Sequence, residues 1–232
     1  MDDQLLPVQK RRQNLIALAG VIIAVVFPFV LSIMFRYTNL AYIDRIWYSR
    51  FIFWAEVLLL MLYATKAEHR KLLIWPEQRL DPGIFAASVI VLYLLNYVCG
   101  IMSLAPRLFG YHEDSVLMKK MLLLMANKQW LIFFTCFTAG VTEELIFRGY
   151  IMTRLSLLFK NKYMPIIVSA LAFSALHYGY KSLRELIFAF LIGILFGTYY
   201  QKYRNIKVLI AAHFMVDIIN VELLTHLYKV IK

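Results

Sequence analysis

Residues 15–35 read LIALAGVIIAVVFPFVLSIMF, an apolar run without a charged side chain, flanked by Arg11, Arg12 and Arg36. A helix that crosses a bilayer needs about 20 predominantly apolar residues, and this run meets that length. It is longer than the apolar region of a secretory signal peptide, and no small-residue cleavage site follows it. We therefore interpret it as a retained first membrane span, and the chain as a membrane protein.

The composition of the whole chain agrees with this interpretation. Hydrophobic residues make up 62% of the 232 residues, against roughly 45–50% apolar residues in soluble domains. The 17 Phe, 15 Tyr and 4 Trp exclude a disordered chain, which is poor in aromatic residues. The two cysteines, Cys99 and Cys136, lie in apolar runs, so a disulfide scaffold and a cysteine-based zinc site are excluded.

The net charge of +11 arises from basic residues that occur in twos and threes between apolar segments, as at Lys10, Arg11 and Arg12. This distribution predicts contact with anionic lipid head groups rather than with nucleic acid, which requires basic residues gathered on one soluble face. Because the first span often sets the topology, we expect a cytoplasmic N-terminus. If the chain is bacterial, its membrane is the cell membrane.

Further apolar segments follow the first span. They are residues 51–64, reaching back towards 46, and residues 84–105, 130–151, 164–178, 186–200 and 208–228. A shorter apolar stretch at 116–125 is a candidate eighth span. The sequence therefore predicts an all-α polytopic protein of seven or eight transmembrane helices. We divide this single membrane domain into N-terminal helices, residues 1–127, and a C-terminal helical core with a polar cavity, residues 128–228.

Ionisable side chains occur inside three of the C-terminal spans, and each costs at least about 2.5–3.5 kcal/mol at the bilayer centre when charged. They are Glu143, Glu144 and Arg148 in the fourth span, His177 in the fifth, and His213 and Asp217 in the seventh. Glu144 and Arg148 lie four residues apart, in the favourable order for an ion pair on one helix face, which is as consistent with a structural pair as with a catalytic one. Glu143 points about 100° away and needs another partner.

Three motifs gather these residues: Glu143-Glu144-Leu-Ile-Phe-Arg148, Phe173-Ser-Ala-Leu-His177 and His213-Phe-Met-Val-Asp217. In this order, each within an apolar span, they resemble the EExxxR, FxxxH and HxxxN/D motifs of the CAAX-protease and bacteriocin-processing family of intramembrane endopeptidases. The resemblance covers residues 128–225, and the first three spans carry no motif.

The resemblance implies a peptidase that hydrolyses peptide bonds with activated water. It implies that Glu143 is the general base, that His177 helps to hold the water, and that His213 and Asp217 face the oxyanion. Glu144 and Arg148 would buttress the site or hold substrate. Many relatives have Asn where this chain has Asp217, so Asp217 is open to three roles: a protonated donor, an orienter of His213, or a metal ligand.

A zinc-dependent metalloprotease that uses the same residues is the closest alternative. Glu143, His177, His213 and Asp217 offer the oxygen and nitrogen ligands that zinc takes, although their spacing is not that of an HExxH site. The cofactor is therefore either none or a divalent metal such as zinc, and the resemblance slightly favours the metal-free mechanism.

Two further function classes use the same polar residues without proteolysis. A small transporter would line its pathway with carboxylates and histidines, but the sequence shows no paired repeats. A non-catalytic membrane scaffold would keep the motif residues for structure. For the peptidase, we expect membrane lipid and a peptide or protein substrate as partners, with prenylated C-terminal motifs, leader peptides and membrane-embedded proteins as substrate types that the family suggests.

Overall fold

The computed structural model describes residues 7–111 and 116–230, and every regular element within them is helical. The main helices are α1 (Pro7–Arg36), α2 (Tyr42–Lys66), α3 (Pro82–Met102), α4 (Val116–Met125), α5 (Gln129–Glu143), α6 (Thr153–Leu158), α7 (Met164–Leu176), α8 (Leu183–Tyr203) and α9 (Ile206–Val230). A π-helix, Glu144–Met152, joins α5 to α6 without a break, and short 3₁₀ turns follow α3 and α7.

Six of the helical segments in the described ranges are long and apolar enough to cross a membrane, and α7 with its 3₁₀ turn is a shorter apolar helix. The predicted all-α, multi-pass membrane protein is therefore confirmed. The stretch at 116–125 does form a helix, α4, but its 10 residues reach only about 15 Å, half the hydrocarbon thickness. The predicted number of seven or eight spans is therefore approximate, since six long helices and the shorter α7 are found in the described ranges.

The segment Gln129–Leu158 is the central helix of the fold. It is 61% buried over its most apolar window, whereas the corresponding windows of α1, α2 and α3 are each 22% buried. It contacts α2 on one side and α9 on another, while its π-helical part packs against α7 and α8. The fourth predicted span therefore places Glu143, Glu144 and Arg148 in the buried interior of the protein.

Close packing of α7 against α8 depends on two glycines in α8. A Cβ atom built on Gly193 would lie 2.8 Å from Ala170 Cα, and one on Gly197 would lie 2.9 Å from Ile166 Cγ2. Small residues four positions apart let helix backbones approach closely in membranes, as the sequence predicts for this pair. The contact matters for the site, because α7 ends next to His177.

Gly193→Ala should destabilise the protein by about 1–3 kcal/mol, because the new methyl group would press on the Ala170 backbone, which no side-chain rotation can relieve. Gly100→Ala is the matched control: it lies in α3 with nothing within 4 Å of the new Cβ, and Ala is the better helix former by up to about 1 kcal/mol. Thermal unfolding in detergent measures both. Equal melting temperatures for the two variants would contradict this account of the α7–α8 contact.

A buried ion pair remote from the motif residues connects the segment after α2 to α6. Arg154 and Glu68 are 2.7 Å apart, and Arg154 also donates to the carbonyl groups of Lys71 and Leu72. The Tyr150 hydroxyl donates to the other Glu68 oxygen at 2.7 Å. Because this network satisfies the charge of Arg154 at the end of the central helix, that helix can extend beyond residue 151.

Candidate active site

Glu143 and Glu144 lie where the α-helical α5 changes into the π-helix. The wider π-helical turn is rare and occurs frequently at functional sites. Ser169 of α7 donates a hydrogen bond of 2.8 Å to the carbonyl oxygen of Phe147, which holds α7 against this segment. The π-helix therefore has specific tertiary contacts, and it sets the directions of the two adjacent carboxylates.

Glu144 is the fixed carboxylate of the pair. Its side chain is fully buried, and one oxygen, Oε1, lies 2.8 Å from Arg148 Nη1 and 2.7 Å from His213 Nδ1. A carboxylate accepts hydrogen bonds, so His213 carries its proton on Nδ1 and donates a hydrogen bond from there to Glu144. Glu144 thereby links the first motif to the third and sets the orientation of the His213 ring.

The other ring nitrogen of His213 faces two more carboxylates. His213 Nε2 lies 3.9 Å from Glu143 Oε2 and 3.6 Å from Asp217 Oδ2. Glu143, Glu144 and Asp217 thus surround the imidazole, so a positive charge on His213 would be electrostatically compensated. Asp217 is the most open of these groups, with 31% of its side chain exposed, against 8% for His213 and Glu143.

Glu143 differs from Glu144 in its hydrogen bonding. Within the described part of the chain, no group donates a hydrogen bond to the Glu143 carboxylate, and its separation from His213 Nε2 is too long for one. Its side chain nevertheless retains some exposure, unlike that of Glu144. Glu143 is therefore the carboxylate that can accept a proton from a water molecule or a substrate.

His177 follows the last residue of α7, in the 3₁₀ turn. Its Nδ1 lies 3.1 Å from the carbonyl oxygen of Phe173. The Phe173 ring stands between the two histidines, with its centroid 4.9 Å from the His177 ring and 6.2 Å from the His213 ring. The second motif therefore joins the same cluster through an aromatic contact.

The guanidinium of Arg148 is enclosed by aromatic rings as well as paired with Glu144. Its central carbon lies 4.4 Å from the Phe173 centroid and 5.6 Å from the Phe196 centroid, within the range of cation–π attraction. Arg148 Nη2 and Glu144 Oε2 are buried, and neither has a hydrogen-bond partner among the described residues. This pair lies behind His213, where it orients the ring.

Metal-ligand geometry was a specific expectation of the zinc alternative. In residues 7–111 and 116–230, no group of three or more His, Cys, Asp or Glu side chains is arranged to hold a metal ion. The positions of Glu143, His177, His213 and Asp217 therefore give the metalloprotease interpretation no support.

Two residues that the motifs do not include also belong to this region, and both come from α2. Glu56 is fully buried, neither of its oxygens has a hydrogen-bond partner in the described chain, and it is near enough to Glu143 for the two carboxyl groups to influence each other. Arg50 lies on the same face of α2 as Ile46, whose cluster Ile218 of α9, the residue after Asp217, packs against, and it exerts an electrostatic influence on Asp217. The signal available in the sequence was the presence of ionisable residues in the second span, which by itself predicts a functional position.

Glu56→Met should raise the stability of the protein by about 1–3 kcal/mol, because a buried polar group without a partner is costly and Met fills a similar volume. Glu77→Met, at a partly exposed position outside the spans, is the control and should leave stability nearly unchanged. Thermal unfolding of both variants in detergent measures the difference. A lower melting temperature for Glu56→Met would mean that an ordered water or ligand satisfies the carboxyl group.

The fold and the cluster together define a multi-pass membrane protein with carboxylates and imidazoles gathered within its helices. Residues 125–219 match the family model described as "Rce1-like: Type II CAAX prenyl endopeptidase Rce1-like". This match confirms the resemblance that the three motifs carry, over the part of the chain that contains them. No curated protein and no solved structure matches the chain.

Proposed function

We propose that the chain is an intramembrane endopeptidase in which Glu143 activates water for attack on a peptide bond. The observation that carries this proposal is that two adjacent carboxylates differ in their hydrogen bonds and in their exposure. Glu144 is fully buried and bonded to Arg148 and His213, whereas Glu143 accepts no hydrogen bond from the described residues and keeps some exposure. A general base has to reach the proton that it removes, and of these two adjacent glutamates only Glu143 meets this requirement.

The reaction needs one base and one site for negative charge. Glu143 takes a proton from water as the oxygen attacks the carbonyl carbon, and the carbonyl oxygen becomes an oxyanion. The protonated Glu143 then gives its proton to the nitrogen of the leaving amine as the C–N bond breaks. The proton taken from water thus ends on the leaving amine, and Glu143 ends the cycle ionised.

His213 is the proposed partner of the oxyanion, through Nε2. With Nδ1 donating to Glu144, the ring can donate from Nε2 only as an imidazolium, and the surrounding carboxylates compensate that charge. In this arrangement Asp217 supports the charged ring rather than contacting the oxyanion, since an ionised carboxylate would repel it. Of the three roles open to Asp217, the geometry favours that of an orienter of His213.

The remaining motif residues act around this pair. His177 helps to hold the water, since its ring joins the cluster through Phe173, which contacts both histidines. Arg148 neutralises Glu144, and Glu144 in turn holds the His213 ring. Arg148 and Glu144 are therefore positioning residues for His213.

The proposed substrates are membrane-associated peptides or proteins, either prenylated or leader-bearing. An apolar groove of about 440 Å³ is lined by Gln129, Trp130, Phe133 and Ile218. The groove comes nearest the proposed site at Ile218, which follows Asp217 in α9, whereas Gln129, Trp130 and Phe133 lie about 15–21 Å along the helix from Glu143. Its apolar walls suit an alkyl or prenyl chain that anchors the substrate in the lipid next to the scissile bond.

Cleavage by the protein reconstituted in liposomes tests this proposal. The probes are a farnesylated peptide ending in a CAAX sequence and an unprenylated leader-type peptide, with products identified by mass spectrometry. We expect hydrolysis at one peptide bond by the wild-type protein and by Glu77→Gln, a surface control, but not by Glu143→Gln. Failure of the wild-type protein to cleave either probe would contradict the proposal.

A further inference from the structure

Arg50 is a basic residue on the buried side of α2. Ile46, Arg50 and Phe53 follow the spacing of one helix face, and Ile46 and Phe53 are buried in the protein. Arg50 lies about two helical turns into the span, where a cation without compensation is costly. Its position therefore calls for a functional or an electrostatic explanation.

The guanidinium has weak local contacts. Arg50 Nε donates to the hydroxyl of the neighbouring Ser49 at 3.2 Å, and its central carbon lies 5.2 Å from the Phe53 ring centroid. In the described ranges no carboxylate lies within ion-pair distance of it. Arg50 thus differs from Arg148 and Arg154, which are buried in ion pairs.

The face of α2 that carries Arg50 packs against helices of the proposed active site. Ile46, one turn before Arg50 on this face, lies in one buried cluster with Cys136 of α5, and Ile218 of α9, the residue after Asp217, packs against that cluster. An electrostatic influence of Arg50 on Asp217 agrees with this position. Asp217 is the most exposed of the acidic groups at the site. Arg50 therefore lies at the more open end of the cluster, where a substrate can enter.

The excess of negative charge at the site gives Arg50 a possible role in binding an anionic group of the substrate. Three carboxylates, those of Glu143, Glu144 and Asp217, outnumber the two cations Arg148 and protonated His213, so a substrate that carries an anionic group would be repelled unless a further cation were available. Arg148 is already paired with Glu144. Arg50 is therefore the arginine beside Asp217 whose guanidinium is left to bind an incoming anion.

We infer that Arg50 binds a carboxylate of the peptide substrate. The guanidinium presents donors in a planar fork that matches a carboxylate, and the pairing is stronger where water is excluded. The inference rests on the proposed endopeptidase function and adds a specificity-determining residue from a helix outside the family match. The carboxylate is either the C-terminal α-carboxylate or an acidic side chain near it.

Three farnesylated CAAX peptides distinguish these sources: one with a free C-terminal carboxylate and no acidic side chain, its C-terminal amide, and the amide with Glu as the last residue. For the free carboxylate, Arg50→Gln should raise KM by about 10- to 100-fold with little change in kcat. The same substitution should leave the KM of the plain amide within about threefold. An effect restricted to the Glu-terminated amide would assign Arg50 to an acidic side chain.

Two controls keep the result specific. Arg50→Lys preserves the charge without the planar fork and should give an intermediate KM. Lys120→Gln removes a positive charge that stacks on Tyr42 at the start of α2, away from the motif residues, and should match the wild type. Melting temperatures of all variants verify that they fold.

Binding measured without turnover separates this inference from the proposed function. In a Glu143→Gln background, adding Arg50→Gln should weaken binding of the free-carboxylate peptide by about 10- to 100-fold and leave the plain amide unaffected. Equal affinities in both backgrounds, or a fall in kcat at constant KM, would overturn the role of Arg50. Absence of cleavage by the wild-type protein, with the binding difference intact, would overturn the endopeptidase and leave the carboxylate site standing.

Discussion

Glu143→Gln is expected to lower kcat by about 10²- to 10⁴-fold, the usual contribution of a general base. Gln has nearly the same shape as Glu but cannot accept the proton of water. Because Glu143 accepts no hydrogen bond from the described residues, the substitution removes only its 3.9 Å ion pair with His213. KM and the melting temperature should therefore change little. Steady-state kinetics on the farnesylated peptide, with thermal unfolding in detergent, measure all three quantities.

The metal content of the same samples separates the two possible mechanisms of water activation. A water-activating carboxylate predicts no stoichiometric zinc in wild-type protein prepared without a His tag, and full activity after chelation. Near-stoichiometric zinc that is lost in Glu143→Ala and His213→Ala would instead support the metalloprotease. Retention of kcat within tenfold by Glu143→Gln would contradict Glu143 as the base under either mechanism.

Arg148→Met is expected to destabilise the protein by about 3–5 kcal/mol and to abolish cleavage. The substitution leaves Glu144 fully buried without its cation, and breaking one side of a buried ion pair has this cost. It also weakens the restraint on the Glu144 oxygen that accepts from His213 Nδ1. Thermal unfolding and cleavage per folded molecule measure the two effects separately.

The double variant Glu144→Met/Arg148→Met tests whether the loss has an electrostatic cause. Removing both charges should recover most of the stability, because apolar replacements of a buried pair are often neutral, but activity should stay absent since His213 has lost its acceptor. Arg154→Met is a matched control that leaves Glu68 unpaired far from the site, so it should destabilise the fold without lowering the activity of folded molecules. Equal stability of the single and double variants would contradict this interpretation.

Segment hydrophobicity predicted the limits of several spans well, including one that contains Asp217 and Glu222. The predicted spans 186–200 and 208–228 lie inside α8 and α9. The limits of two other spans were less accurate, because a charge interrupted the apolar pattern. The helix α2 begins at Tyr42, before Arg50, and the central helix continues to Leu158 through Arg154, whose partner Glu68 comes from a distant segment.

The motif residues could be assigned to one site from sequence because each is an ionisable group inside an apolar span, and such groups are stable only when they meet one another. Their pairing could not be assigned. The order along the helix predicts the Glu144–Arg148 pair, but nothing local predicts that His213 donates to the same Glu144 oxygen. The π-helix between them was also not predicted, since its hydrogen-bond register depends on packing against α7 and α9.

The sequence by itself determined that this is an all-helical membrane protein and which polar residues must be clustered, since both follow from the cost of placing charges and unpaired backbone groups in lipid. Only the tertiary structure decided that α2, which carries no motif, brings Arg50 and Glu56 to the site. It also decided that Glu144 is hydrogen-bonded to Arg148 and His213, whereas Glu143 accepts no hydrogen bond from the described residues. Those outcomes depend on which helix faces meet, a property of packing between distant segments that no local pattern encodes.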